Sequence, residues 1–211
     1  MHTKKEDIKL LTADGVYIEG VIETPEEISS IPLVVLCHPH PQFGGQMNDS
    51  ILSALSYSLV SNGISTLKFN FRGVGNSTGS FGNGAGETLD ALAALKFTSE
   101  LSWVDKEKIS ILGYSFGAKV ALNASLKTSM IKSLVLIAPA IKKISPNKLK
   151  SLNISKLLIY GEEDGLIQAS DIKELFQNMV DPKQLSVIPN ANHFFENNLD
   201  QVIKLVTDFF Q

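Results

Sequence analysis

The chain has 211 residues, of which 44% are hydrophobic, and a formal net charge of −3. This length and composition fit a single domain, residues 1–211, with a sizeable core, and the net charge argues against a surface for nucleic acid or anionic membranes. Because Cys37 is the one cysteine and no apolar run approaches the roughly 18 residues of a membrane span, we expect a cytoplasmic protein without an internal disulfide.

Strand-like and helix-like segments alternate along the chain. Segments 8–11 and 17–22 alternate apolar and polar residues around a turn and predict a hairpin, and the apolar run 33–37 is typical of a buried parallel strand. The pattern predicts further strands over 64–69, 109–112, 134–138, 157–160 and 185–188, and helices over 48–62, 87–100, 118–125, 170–179 and 199–210. This order predicts an α/β fold with a doubly wound, mostly parallel sheet and an antiparallel N-terminal hairpin.

The apolar residues of two helices predict which faces turn toward the core. In the helix over 48–62, the residues that share one face are Ile51, Leu52, Leu55 and Leu59. In the helix over 87–100, the predicted inner face comprises Leu89, Leu92, Ala93 and Phe97. We expect each helix to pack this face against the sheet.

The most informative motif is Gly113-Tyr114-Ser115-Phe116-Gly117, which reads G-x-S-x-G between a predicted strand and a predicted helix. A strand, a sharp turn and a helix are the context of a nucleophile elbow, in which the serine backbone is strained and its hydroxyl points outward. A side chain two residues before or after Ser115 would clash with neighbouring backbone, and glycine removes that clash. The motif therefore predicts Ser115 as a nucleophile.

An acid and a base follow in the order serine, acid, histidine that such folds use. Asp164 follows the strand predicted over 157–160, and His193 follows the strand predicted over 185–188. Because the carboxyl ends of parallel strands lie at one edge of a sheet, we expect Ser115, Asp164 and His193 to meet there. The histidine would take the serine proton, and the aspartate would orient the imidazole and stabilise its charged form.

The first buried strand is followed by His38-Pro39-His40-Pro41, which predicts one side of an oxyanion hole. One donor is expected to be the backbone N–H after the nucleophile, that of Phe116, and the second should come from this loop. Proline has no N–H, so His40 is the best candidate. The prolines would keep the loop stiff, which suits a donor that must be aimed in advance at developing charge.

These motifs together resemble the α/β-hydrolases over nearly the whole chain. More narrowly, the chain resembles small bacterial α/β-hydrolases that carry His-Pro-His-Pro-x-x-Gly-Gly, here residues 38–45, and Arg-Gly-x-Gly-x-Ser, here residues 72–77. The match also covers 84–87 with Asp90-Ala91, and Gly161 with Asp164. The resemblance implies an α/β-hydrolase fold in which the nucleophile, acid and base are Ser115, Asp164 and His193. It does not imply a substrate, because members act on esters, thioesters, amides and other acyl bonds.

The small size also resembles dienelactone-hydrolase-like enzymes. Those commonly use cysteine as nucleophile, whereas this chain has Ser115 in the elbow, so their activity is not carried over. Many α/β-hydrolases insert a lid after the strand that follows the elbow helix. Here that space, residues 139–155, is too short for a lid domain, and part of it is basic, with Lys142 and Lys143. We therefore expect an open site.

Other roles for several of these residues stay open. Glu162 or Glu163 could replace Asp164 as the acid, and Asp164 could instead cap a following helix. The His38-x-His40 pair could suggest zinc, but no third ligand is evident, and we expect His38 to brace its loop through backbone hydrogen bonds.

Two residues near these motifs are expected to be structural. Arg72 could contact a substrate carboxylate, but a salt bridge that pins its loop is favoured. Cys37 is expected to be buried beside the site and not to be catalytic.

The sequence therefore predicts a serine hydrolase of small, accessible acyl compounds, and more specifically a carboxylesterase that works through an acyl-enzyme without cofactor or metal. The alternatives are a non-catalytic binding module of the same fold, and thioesterase, amidase or peptidase activity on the same triad. Candidates for lining the acyl pocket are Phe43, Met47, Phe81 and Phe194. The expected partner is a small-molecule substrate, with neither nucleic acid nor membrane, and a homodimer stays open.

Overall fold

One twisted sheet runs through the protein, whose computed structural model describes residues 3–26, 30–141 and 144–211. Within these ranges the strands are β1 (Thr3–Leu11), β2 (Tyr17–Pro25), β3 (Ile31–Cys37), β4 (Ser65–Phe69), β5 (Val104–Tyr114), β6 (Ser133–Ile137), β7 (Ser155–Gly161) and β8 (Lys183–Ile188). The helices are α1 (Ser50–Ser61), α2 (Ala85–Glu100), α3 (Phe116–Ser125), α4 (Pro146–Lys150), α5 (Ala169–Asn178) and α6 (Leu199–Phe210). A short 3₁₀ turn, Pro41–Phe43, follows β3.

The strands lie in the order β1-β2-β4-β3-β5-β6-β7-β8. β1 and β2 form an antiparallel hairpin in which Leu11 pairs with Tyr17, and β2 pairs antiparallel with β4. The pairs that link β4, β3, β5, β6, β7 and β8 are all parallel. The predicted α/β-hydrolase fold, with its mostly parallel sheet and antiparallel N-terminal hairpin, is confirmed. The carboxyl ends of six strands therefore share one edge.

Helices cover both faces of the sheet, which explains why β3 and residues 134–137 of β6 are continuous apolar runs. α1 and α6 pack on one face, where Leu52 and Val202 are fully buried. α2, α3, α4 and α5 pack on the other face, where Ala94 and Ile172 are fully buried. Successive residues of β3 alternate between these two cores, so a continuous run of hydrophobic side chains is buried there.

The predicted inner face is confirmed for α1 and needs correction for α2. All four predicted residues of α1 are buried. In α2 the predicted residues are only partly buried, and the fully buried apolar positions are Ala91, Ala94 and Leu95. The helix is rotated because two acidic side chains turn inward. Glu87 accepts backbone N–H groups of the preceding loop, and Asp90 binds Arg72.

The segment between β6 and β7 contains α4, which the sequence pattern did not predict, and its described residues form no lid domain. α4 begins at Pro146, a residue suited to the first turn of a helix, and buries Leu149. Lys142 and Lys143 of the basic segment lie outside the described residues. Across the described ranges, the helices are too short or too polar to cross a membrane.

Candidate active site

Ser115 occupies the sharp turn between β5 and α3. Its backbone angles, φ 55° and ψ −114°, lie in a region that residues with side chains rarely adopt. A Cβ at Gly113 would overlap the carbonyl group of Gly117, and a Cβ at Gly117 would overlap the carbonyl oxygens of Cys37 and His38. The strained elbow and the need for glycine at both positions are therefore as the sequence predicts.

Three loops at the carboxyl edge of the sheet bring the predicted serine, acid and histidine together. Ser115 follows β5, Asp164 follows β7, and His193 lies between β8 and α6. Nε2 of His193 lies 3.0 Å from Oγ of Ser115, and Nδ1 lies 2.7 Å from Oδ2 of Asp164. The side chains of His193 and Asp164 are 7% and 1% exposed, so little water competes for these contacts.

Both carboxylate oxygens of Asp164 are engaged. Oδ2 faces His193, while Oδ1 accepts the backbone N–H groups of Leu166 and Ile167 at 2.9 and 3.0 Å. Burial alone would raise the pKa of Asp164, but the hydrogen bonds from His193 and from these N–H groups outweigh it and hold the pKa below its ordinary value. An ionised carboxylate only accepts, so Nδ1 of His193 carries the proton and Nε2 is left to accept from the Ser115 hydroxyl.

The neighbouring acids do not reach the histidine. Glu162 and Glu163 are exposed, and Oε2 of Glu162 lies 3.4 Å from the backbone N–H of Asn190, which donates to it. Asp164 makes the histidine contact and also receives the two N–H groups of the following turn. The predicted contact of Asp164 with His193 is therefore present, but Asp164 does not cap the following helix, because α5 begins at Ala169 and its N-cap residue is Gln168.

The loop that carries His193 is held from two sides. A Cβ at Gly161 would overlap the carbonyl oxygen of Ala191, so the end of β7 and this loop approach closely only because residue 161 is glycine. The buried hydroxyl of Tyr114 donates to the carbonyl oxygen of His193 at 3.1 Å. The elbow therefore supplies Ser115 and also an anchor for the histidine.

His38 fastens the loop after β3. Its Nε2 accepts the backbone N–H of Phe71 at 3.0 Å, so Nδ1 carries the proton and donates to the carbonyl oxygen of Pro39 at 2.7 Å. Burial lowers the pKa of His38 to about 4, so the ring is neutral near pH 7. The predicted bracing role is confirmed. With both ring nitrogens engaged, His38 has no lone pair to offer a metal ion.

The two predicted oxyanion donors both border the same cleft. The N–H of Phe116 is the first of α3, where helical N–H groups have no partner within the helix. Within the described residues, neither Phe116 nor His40 donates its backbone N–H to a protein acceptor. The carbonyl oxygen of His40 accepts N–H groups from Phe43 and Gly45, both at 3.0 Å, which fixes this turn. Both N–H groups are thus available to a ligand.

A cleft of about 470 Å³ opens beside Ser115. Phe43 and Phe81 line it, as the sequence predicts. Met47 and Phe194 are not among its described lining residues, so the structure does not bring them into the cleft. The backbone N–H of Met47 donates to Asn70 instead, and the Phe194 ring packs edge-on against His193, 5.4 Å between centroids.

Sequence reasoning missed several residues of this cleft, among them Lys119, Leu166 and Ile167. Spacing could have found Lys119, because it lies one helical turn after Ser115 and therefore on the same side of α3. The other two directly follow the loop of Asp164. Because the loop that carries Asp164 lies at the same edge of the sheet as Ser115, the position of these two residues in the chain could have identified them as candidates for the cleft.

Arg72 and Cys37 support the structure around the cleft. The Arg72 guanidinium is 8% exposed and binds Asp90, with Nη2 2.8 Å from Oδ1, and Asp14, with Nη1 2.7 Å from Oδ2. The Arg72 backbone N–H also donates to Asp90, so the loop after β4 is pinned as expected. Cys37 is fully buried, and burial raises the pKa of its thiol, which keeps it protonated and unreactive.

Known proteins share this architecture. Residues 79–207 match the model of the dienelactone hydrolase family. An uncharacterized protein of Rickettsia prowazekii, RP471, is 31% identical over 186 residues, which cover 84% of this chain and 78% of the relative.

Two solved structures resemble the chain nearly throughout. ATU1826 of Agrobacterium tumefaciens, a protein of unknown function, has a TM-score of 0.84 at 32% identity and covers 97% of this chain and 94% of its own. An alpha-beta serine hydrolase homologue from Coxiella burnetii has a TM-score of 0.84 at 28% identity and covers 96% of each chain. With the fold and the site geometry, these matches show that the chain is an α/β-hydrolase and belongs to the dienelactone hydrolase family.

Proposed function

We propose that this hydrolase is a serine esterase in which Ser115 attacks the carbonyl carbon of the substrate. The observation that carries the proposal is the unbroken line of contacts from Oγ of Ser115 through His193 to Asp164, with distances of 3.0 and 2.7 Å. A serine hydroxyl is a poor nucleophile until a base removes its proton as the new bond forms. His193, held in the accepting tautomer by ionised Asp164, is that base.

The reaction runs in two halves. Nε2 of His193 takes the hydroxyl proton as Oγ of Ser115 bonds to the carbonyl carbon, and Asp164 stabilises the imidazolium. His193 then gives this proton to the alcohol oxygen as the carbon–oxygen bond breaks, which leaves the acyl group on Ser115. In the second half, water gives a proton to His193 and its oxygen to the acyl carbon, and Oγ recovers a proton as the carboxylic acid departs.

The backbone N–H groups of Phe116 and His40 hold the carbonyl oxygen while it carries negative charge. Donors fixed before the reaction stabilise that charge without reorganising, and such stabilisation is often the largest contribution to catalysis. Two features support this role for His40. Its N–H has no acceptor among the described protein groups, and His38 and two carbonyl hydrogen bonds fix its turn.

Two further observations support the proposal, one on the nucleophile and one on the size of the substrate. The Coxiella burnetii protein, which is similar over nearly the whole chain, is described as a serine hydrolase homologue, and this supports a serine nucleophile here. The cleft of about 470 Å³ is bordered by loops, and the described residues place no lid domain over it. An ester with a small or medium acyl group can therefore reach Ser115 directly.

The test is labelling with a fluorophosphonate probe, which bonds to an activated serine. We expect the wild-type protein to be labelled and to hydrolyse p-nitrophenyl acetate, and Ser115→Ala to lose both properties while keeping its circular dichroism spectrum. A short panel of ester, thioester and amide substrates with the same acyl group would show which of these bonds is cleaved fastest. Absence of both labelling and hydrolysis in folded wild-type protein would contradict the proposal.

A further inference from the structure

Four aromatic rings form one wall of the cleft beside Ser115. The centroid of the His40 imidazole lies 4.8 Å from that of Phe43, 5.0 Å from that of Phe81 and 4.7 Å from that of Phe116. The rings of Phe81 and Phe116 are 5.7 Å apart. All four residues line the cleft. Tilted contacts at these distances are a favoured arrangement of aromatic rings, and such a wall would offer the same contacts to a further ring.

The outermost member of this wall is left open to solvent. Phe43 is 87% exposed, although its ring contacts His40, whereas Phe116 is 5% exposed. Leu166, on the loop between β7 and α5, lines the same cleft and is 65% exposed. Large apolar side chains that are exposed on two loops of one cleft mark a surface that an apolar ligand group can cover.

The position of the aromatic wall relative to Ser115 and His193 indicates whether the wall contacts the acyl group or the alcohol of an ester. The leaving alcohol must lie near Nε2 of His193, which protonates it. The wall includes His40 and Phe116, whose backbone N–H groups are the proposed oxyanion donors, while the ring neighbours of His193 are Tyr114 and Phe194. The acyl group, and not the alcohol, therefore extends along the aromatic wall.

We propose that the cleft selects esters whose acyl group carries an aryl ring, which lies between Phe43 and Leu166 while the carbonyl carbon reaches Ser115. This inference rests on the proposed esterase function and specifies its substrate class. Aromatic pairs gain stability beyond the burial of apolar area, and the gain corresponds to a preference of about 2- to 10-fold over a saturated ring of the same size. Phe43 is the residue that determines this preference, because it presents the largest uncovered aromatic surface.

The test compares methyl 3-phenylpropanoate with methyl 3-cyclohexylpropanoate, which share the same ester and linker and differ in whether the six-membered ring is aromatic or saturated. We expect wild-type protein to show a kcat/KM about 2- to 10-fold higher for the phenyl ester. Phe43→Leu should bring this ratio close to one. The matched control is Tyr57→Leu, which removes an aromatic residue that is 73% exposed on α1 and outside the described cleft lining, and which should keep the wild-type ratio.

Three results would overturn the aryl site while the esterase function stands. They are equal rates for the two methyl esters in a protein whose Ser115 is labelled, an unchanged ratio in Phe43→Leu, and a higher kcat/KM for the isomeric 2-phenylethyl acetate than for methyl 3-phenylpropanoate, which would place the ring on the alcohol side.

Binding separates the two proposals. Calorimetry with Ser115→Ala measures the dissociation constants of both methyl esters without turnover, and we expect the phenyl ester to bind more tightly by a similar factor. Tighter binding of the phenyl ester, with no labelling of the wild type, would support the aryl site and contradict the esterase. Equal binding of the two esters would overturn the aryl site, whatever the activity.

Discussion

The backbone conformation of Ser115 costs of the order of 1–3 kcal/mol relative to a relaxed one, and close packing maintains it. The glycine at position 117 lies against the carbonyl oxygens of Cys37 and His38, so β3 and α3 approach more closely than any side chain would allow. The packing of the surrounding backbone therefore directs the serine hydroxyl toward His193, although the backbone angles of Ser115 are intrinsically unfavourable.

We expect Gly117→Ala to destabilise the protein by about 3 kcal/mol, since the new Cβ must displace backbone. Gly165→Ala is the matched control, because a Cβ there would meet no atom within 4 Å, and it should change stability by less than about 0.5 kcal/mol. Urea unfolding measures both. Equal stability of the two variants would contradict the packing of the elbow.

A backbone donor can be removed at position 40, because His40 has φ −62°, an angle that proline adopts. We expect His40→Pro to lower kcat by about 100- to 1000-fold, the usual cost of one oxyanion donor. His40→Ala also loses the imidazole but keeps the N–H, and it separates the two effects. Similar kcat values for the two variants, measured with p-nitrophenyl acetate, would exclude the His40 N–H from the oxyanion hole.

Among the elements, hydrophobic periodicity predicted α1 and failed for α2. In α1 the one buried polar residue, Ser56, lies beside the apolar residues and hydrogen-bonds Thr66, so the spacing of Leu52, Leu55 and their neighbours still gives the orientation of the helix. α2 also brings Asp90 inward to a buried guanidinium, and no periodicity of apolar residues contains that information. α4 is too short, at five residues, for a periodic pattern to be visible.

The ion pairs of Arg72 join three elements, since Asp14 lies in the β1–β2 turn and Asp90 in α2. We expect Arg72→Met to destabilise the protein by about 3–5 kcal/mol, because it leaves the fully buried carboxylate of Asp90 without its cation. Lys204→Met removes an exposed partner of Asp208 and should cost less than about 0.5 kcal/mol. Unfolding midpoints in urea compare the two, and a small shift for both would contradict a structural role of Arg72.

At the scale of the whole molecule, the assignment of parallel strands was the main basis for predicting the candidate site. Once parallel strands are assigned, Ser115, Asp164 and His193 must meet at one edge, whatever the details of packing. The walls of the cleft depend on loop conformations, and for that reason the sequence did not predict Leu166, while Met47 and Phe194, which it did predict, are not among the described lining residues. We propose that the chain is one domain, and we expect a single calorimetric transition because both cores share one sheet.

Stability should fall in mild acid because of His38. Its pKa is about 4 in the folded protein and 6.5 for an unperturbed histidine, so between these values the unfolded chain binds more protons. We expect this residue to remove up to about 3 kcal/mol of stability as the pH falls from 6.5 to 4, with no contribution above that range.

Urea unfolding as a function of pH measures this dependence. His38→Gln should flatten the slope between pH 6.5 and 4, whereas His40→Ala, which removes a half-buried ring, should keep most of it. An unchanged slope in His38→Gln would assign the acid sensitivity to other groups.

The walls of the cleft and the groups proposed to perform the chemistry occupy the same loops. Phe43 donates its N–H to the carbonyl oxygen of His40, and Leu166 donates its N–H to Asp164. Replacing either loop with that of a relative would change the wall of the cleft and the position of a group proposed for catalysis at the same time. Directed evolution toward new substrates should therefore succeed through side-chain libraries at positions 43 and 166. In natural descendants of this protein, selectivity can likewise change through these side chains as long as the backbone conformation of the two loops is kept.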